Sequence, residues 1–222
     1  MLNNIYLRFV ILFIGFVLVG FGVALMVSAN IGLSPYEVLH HGLSKTFNIG
    51  IGVASIWASV VIIILATFFK IYPGLGTILN AAIIGIMVDS IIPLFEPIEN
   101  NLTLSIIYVV IGAIVLALGS ALYLASRFGA GPRDSFIVGI MQKYQVDTKF
   151  VRPVVEAVSL IIGVILGGQI GIGTIIILLI TGYFIDIFFK LIKFDAKKEH
   201  QMNLMEQIIC VREYFKNGNS SL

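Results

Sequence analysis

Two aspartates stand well inside apolar stretches of the chain: Asp89 in 75–95 and Asp186 in 172–194. At 1.5 Å per helical residue each lies about 21 Å from the start of its stretch. An ionisable group at such a depth is costly and by default marks a polar cavity or an ion path. The pair is therefore a candidate for ion coupling, proton uptake included. Alternatively, each is an acid close enough to a helix end to reach the interface. Arg152 and Glu156 are four residues apart and share one helix face. They are candidates for binding inside a bundle, or a local ion pair that makes Glu156 tolerable there. A third group flanks two helix breaks: Asn30 and Glu37 with His40 and His41, and Arg127, Arg133 and Asp134. Helix N-termini carry partial positive charge and free N–H groups that suit anions. Arginine adds bidentate binding of carboxylate or phosphate. Asn30, Glu37, Arg127, Arg133, Asp134, Arg152 and Glu156 are thus the candidate substrate-binding residues. Alternatively, the arginines touch lipid headgroups, and Glu37 and Asp134 only cap their helices.

Other patterns offer little chemistry. Adjacent histidines on a helix do not face one ligand, so His40-His41 makes a poor metal site. No zinc-protease, Gly-x-Ser-x-Gly or Cys/His zinc pattern occurs. No enzyme activity, metal or cofactor is expected.

The elements that must position these residues are legible. Gly32-Leu33-Ser34-Pro35 and Gly129-Ala130-Gly131-Pro132 break the chain. Proline suits a first helical turn, where its missing N–H would be unpaired anyway. Each break should open a short amphipathic helix, at 35–47 and 132–144. Gly76 and Gly173, in Gly74-Leu75-Gly76-Thr77 and Gly171-Ile172-Gly173-Thr174, suit tight turns and close helix packing.

Composition fixes the solvent. The 222 residues are 59% apolar and only 12% charged, against about 25% charged in soluble domains. A soluble enzyme and a disordered tail are excluded, and the one cysteine, Cys210, cannot form an internal disulfide. Six stretches can each supply the roughly 20 residues of a spanning helix. They lie at about 7–29, 52–71, 75–95, 103–126, 150–168 and 172–194. The first is longer than the core of a cleavable signal peptide. Residues 195–222 place Leu204, Ile208, Val211 and Phe215 on one helix face, so an amphipathic tail is expected there.

The chain repeats itself at a shift of 97. Six glycines in 22–93 meet glycines in 119–190, where composition alone gives roughly one coincidence. Pro35 meets Pro132, Glu37 meets Asp134, and Asp89 meets Asp186. Each copy holds three spans, and an odd number requires the second copy to enter from the opposite side. The expected units are 1–97, 98–194 and the tail 195–222.

Charge orients the chain. With the N-terminus inside, 13 of the 14 basic residues fall on the cytoplasmic side and only Lys45 falls outside. Both termini are then cytoplasmic. The basic charge marks a membrane face and does not call for nucleic acid.

The residues that carry the repeat also carry a resemblance. Ala29-Asn30-Ile31-Gly32-Leu33-Ser34-Pro35, Pro73-Gly74-Leu75-Gly76-Thr77 with Asp89, Gly129-Ala130-Gly131-Pro132-Arg133-Asp134, Arg152 with Glu156, and Gly171-Ile172-Gly173-Thr174 resemble the YczE/YyaS/YitT group of bacterial integral membrane proteins. The pattern most resembles the YczE branch, over about residues 10–192, and the resemblance implies a protein of the bacterial cytoplasmic membrane. The group is linked both to transport and to support of secondary-metabolite synthesis, so it leaves the chemistry open.

The expected fold is all-α and polytopic: six transmembrane helices in two inverted three-helix repeats, each with a broken segment and a short amphipathic helix. Broken helices at matched positions point to a transporter site. The first expectation is a small-molecule permease working by alternating access, with an organic anion or zwitterion as solute. The alternative is a membrane accessory protein that docks a cytoplasmic partner on its basic inner face. A bundle this small also suits a homodimer within the lipid bilayer.

Overall fold

The computed structural model describes residues 5–146 and 148–194. The expected tail helix at 195–222 lies outside the described residues. Among those described the fold is all-helical, with eight α-helices and no strand. In chain order they are α1 (Ile5–Ala29), α2 (Pro35–Phe47), α3 (Ile51–Phe68), α4 (Leu75–Ile91), α5 (Leu102–Ala125), α6 (Pro132–Tyr144), α7 (Thr148–Ile165) and α8 (Ile172–Leu191). The two short helices begin at their prolines, where a missing N–H costs nothing. Asn48 and Gln145 end them in the left-handed region, at φ 52° and 54°.

Five helices, α1, α3, α4 (with the turn that follows it), α5 and α8, are long and apolar enough to cross a bilayer. α7 matches α3 in length, at 18 residues, but carries Lys149, Arg152 and Glu156. Large apolar side chains such as Phe13, Val61, Leu65, Ile161 and Leu179 lie open on the outer surface. So much exposed apolar area is untenable in water and natural against acyl chains. The chain is a multi-pass membrane protein.

The core forms around α1. Leu12, Phe16, Val19, Val23 and Met26 from α1 meet Val109, Ala113 and Tyr123 from α5, with Val88 and Ile177 from α4 and α8. Glycine lets the two long helices touch. A Cβ on Gly15 would stand 2.8 Å from the Gly119 carbonyl, and one on Gly22 2.6 Å from the Gly112 carbonyl. Numbers rise along α1 as they fall along α5, so these helices are antiparallel. At their common end the buried Arg8 donates from Nε to the Ser126 carbonyl at 2.8 Å and lies 4.9 Å from the Phe128 ring.

The two breaks interlace with the starts of α4 and α8. The Gly76 amide donates to the Phe128 carbonyl at 2.6 Å, and the Gly173 amide donates to the Ile31 carbonyl at 2.9 Å. These bonds relate to one another by the shift of 97. Gly32 and Gly129 hold φ of 120° and 118°, values that strain any residue with a Cβ. Each chain reversal therefore requires its glycine.

One pair of contacts is not matched in the other half. α3 packs along α4, with Gly85 pressed against the Gly52 backbone. α7 and α8, their counterparts, lack such packing, and a Cβ on Gly182 would meet nothing within 4 Å.

Candidate functional site

The first turns of α2 and α6 converge on one cavity of about 110 Å³. Tyr36, Glu37 and His40 enter from α2, and Arg133 and Asp134 from α6. Ser55 and Ser59 of α3, Asn80 of α4, and Ser120 and Tyr123 of α5 complete the polar lining. Val19, Val23, Ile84, Val88 and Leu116 form its apolar wall. α2 and α6 belong to different copies of the repeat, so the site exists only when both halves are folded together.

Asp134 links Arg133 to Tyr123. Arg133 Nη2 lies 3.4 Å from Asp134 Oδ1, and the Tyr123 hydroxyl donates to Asp134 Oδ2 at 3.1 Å. The Arg133 guanidinium also sits 5.1 Å from the Tyr36 ring centre, within cation–π range. Burial opposes the charge on Arg133, but Asp134, Glu37 and Glu156 around it hold it protonated above the usual guanidinium value. Burial pushes Asp134 upward, and Arg133, Arg152 and the Tyr123 hydroxyl outweigh it, so its carboxyl stays below its ordinary value.

Glu37 differs. It makes no hydrogen bond or ion pair to another described residue, and burial raises it to about 7 although Arg133 pulls the other way. Burial and Arg133 lower His40 to about 3, so its imidazole is neutral. Among the described residues, His40 Nε2 is buried without a hydrogen-bond partner, and Ser59 is the hydrogen-bonding side chain near the Tyr36 hydroxyl. Buried polar atoms are rarely left unpaired.

The other expected site residues lie elsewhere. Arg152 and Glu156 form an i,i+4 pair at 3.1 Å on α7, outside the lining but near enough to bias Asp134 and Glu37. Asn30, in the left-handed region, accepts a hydrogen bond from Gln169 at the first break, and Arg127 is exposed at the second. Asp89 does not line the cavity. Its carboxylate accepts from the Gly52 amide at 2.7 Å and the Val53 amide at 3.0 Å, capping the free N–H groups that open α3. Asp186 is exposed on α8. Among the described residues no three His, Cys, Asp or Glu side chains gather as a metal would require.

Tyr36, Asn80 and Tyr123 were not among the expected site residues, and Ser55 and Ser59 stood out only as the first-half counterparts of Arg152 and Glu156. Ser55 and Ser59 share a face of an otherwise apolar helix, and Asn80 is an amide inside a span, so their polarity was a usable signal.

Comparison with known proteins gives the chain its relatives. The model of a family of unknown function (DUF6198) matches residues 6–190. The chain belongs to this family. YczE of Bacillus subtilis, an uncharacterized membrane protein, is 31% identical over 184 residues, 82% of this chain and 85% of its own length. An uncharacterized protein of Haemophilus influenzae is 31% identical over 175 residues, 79% of this chain and 80% of its own. YyaS of Bacillus subtilis is 28% identical over 183 residues, 81% and 91% of the two chains. The resemblance to YczE and YyaS read from the repeat is thus shown. No solved structure matches the chain.

Proposed function

We propose that the protein is a small secondary transporter of the bacterial cytoplasmic membrane, with the cavity between α2 and α6 as its solute site. The observation that carries this is the meeting of two helix N-termini, one from each copy of the repeat, across one polar space. Transporters built from repeats place their sites at such broken helices. The antiparallel crossing of α1 and α5 supports two inverted three-helix repeats, with α7 as the sixth span. Its charged residues are borne by the Arg152–Glu156 pair and by proximity to its cytoplasmic end. Both termini are cytoplasmic in this account.

The mismatch between the halves supports alternating access. Where α3 and α4 close on each other, Asp89 caps α3 and Gly85 meets Gly52. At the matching place α7 and α8 stand apart, Gly182 meets nothing and Asp186 is exposed. With the N-terminus inside, the closed end faces outward and the open end faces the cytoplasm. Transport exchanges the two arrangements. In this account Asp89 and Asp186 serve the two gates, and proton coupling falls to Glu37 in the cavity.

An anionic solute would need Arg133 unpaired, and Asp134 neutralises it. The accessory alternative leans on residues 195–222, outside the described residues. The direct test is purified full-length protein, screened by thermal shift against metabolites and then assayed for uptake of each stabilising compound in proteoliposomes. Uptake that saturates and falls with Glu37→Gln supports transport. Ligands that stabilise the protein but never cross the vesicle contradict it.

A further inference from the structure

The cavity presents groups that its own network leaves over. Asp134 holds Arg133 through one contact at 3.4 Å and accepts from Tyr123 at 3.1 Å. Beside them the lining includes Glu37, whose carboxyl lies outside this pairing, with Tyr36 and His40 on the same helix. His40 is only 6% exposed. Each of the three can accept a hydrogen bond, given a neutral imidazole, and none carries positive charge. Around them, two guanidiniums (Arg133 and Arg152) stand against three carboxyls (Glu37, Asp134 and Glu156). With all of these ionised the site lacks one positive charge.

The guest that completes this set brings one positive charge and several N–H donors. Its remainder must be apolar, because Val19, Val23, Ile84, Val88 and Leu116 face it. It must also be small. A cavity of about 150 Å³ admits the six carbons of benzene, and the space here is about 110 Å³.

We propose that this cavity binds a small primary alkylammonium ion, with Glu37 as its counter-charge, and that a proton competes for the same carboxyl. The inference rests on the cavity being the solute site. It replaces the expected anion or zwitterion with a cation and makes Glu37 the place where solute and proton exclude each other.

Every neighbour of Glu37 bears on the competition. Arg133 and Asp134 face it from α6, Glu156 acts from α7, Tyr36 and His40 belong to its own helix, and Tyr123 comes from α5. α3 and α4 offer only Ser55, Ser59 and Asn80, and α1 only valines. Burial sets Glu37 near 7. An alkylammonium, like lysine at about 10.4, stays charged on both sides of that value.

The test is calorimetric titration of the full chain in lipid nanodiscs with n-propylammonium, and with propionate as the anion of matched size. The wild type should bind propylammonium and not propionate. Its affinity should fall about tenfold from pH 8 to pH 6 as Glu37 takes its proton. Glu37→Gln should lose at least tenfold in affinity at pH 8 and lose the pH dependence. Should that variant fail to fold, the wild-type pH profile decides alone. No propylammonium binding, equal binding of propionate, or a flat wild-type profile would overturn the proposal. Binding without flux in proteoliposomes upholds this inference and sinks the transport account; flux of another solute without propylammonium binding does the reverse.

Discussion

The Asp89 carboxylate holds the Gly52 amide at 2.7 Å and thereby ties the end of α4 to the start of α3. The next amide, Val53, shares the same carboxylate. Charge, dipole and orphan N–H groups all agree at this contact. Asp89→Ala should therefore cost about 1–2 kcal/mol, read as thermal unfolding in nanodiscs. Asp186→Ala should cost far less under the same conditions, because Asp186 is exposed. Equal losses would mean that the two ends are equally closed.

Gly85 and Gly182 offer a matched pair. A Cβ on Gly85 would come within 2.6 Å of the Gly52 carbonyl and of Ile56 Cγ1. Gly85→Ala should destabilise by about 1–3 kcal/mol or push α3 from α4. Gly182→Ala meets open space and should leave the melting temperature unchanged while slowing transport, since α7 and α8 could then no longer close. A Gly182→Ala variant with normal flux would remove that gate from the mechanism.

Glu37 predicts a direction for stability against pH. Its folded value, about 7, lies above its ordinary 4.5. Between these values the folded chain holds a proton that the unfolded chain has released. The stabilisation is full below the ordinary value and is lost as pH rises through about 7. Glu37→Gln should flatten the wild-type decline across that window. A wild-type melting temperature that climbs from acid to neutral pH would contradict this assignment.

Topology is checked by cysteine labelling of intact cells. Lys45→Cys, beyond the apolar spans at the end of α2, should react with an impermeant thiol reagent from outside. Lys70→Cys, after α3, should react only once the membrane is opened. The reverse pattern would invert the placement of both termini.

The frame of the fold was legible because glycine and proline mark backbone geometry wherever they recur. Gly32 and Gly129, and Pro35 and Pro132, announced the breaks, and both short helices start at their prolines. Glu37 and Asp134 were legible as a repeated pair. Their unequal fates were not, because only Asp134 has Tyr123 within reach, and that hydroxyl comes from another helix. Asp89 stood out as a buried acid, yet its partner is backbone 37 residues earlier. Periodicity gives the face of a helix but not what lies across from it. Tyr36 was hidden for the same reason: the cavity it lines lies between α2 and α6.

The claim on which the account depends is that the α3–α4 and α7–α8 gates exchange states. Val53 and Ile86 mark the first gate, Phe150 and Tyr183 occupy the same positions in the second, and all four are exposed. Spin labels at Val53→Cys with Ile86→Cys, and at Phe150→Cys with Tyr183→Cys, allow electron–electron resonance distances to be read in nanodiscs. The pairs are compared on the two sides of the Glu37 titration, at about pH 5 and about pH 8. The account predicts a short first distance and a long second one in the dominant state, with a second population in which the first lengthens as the second shortens. Two single distances that never move in opposite directions would contradict it.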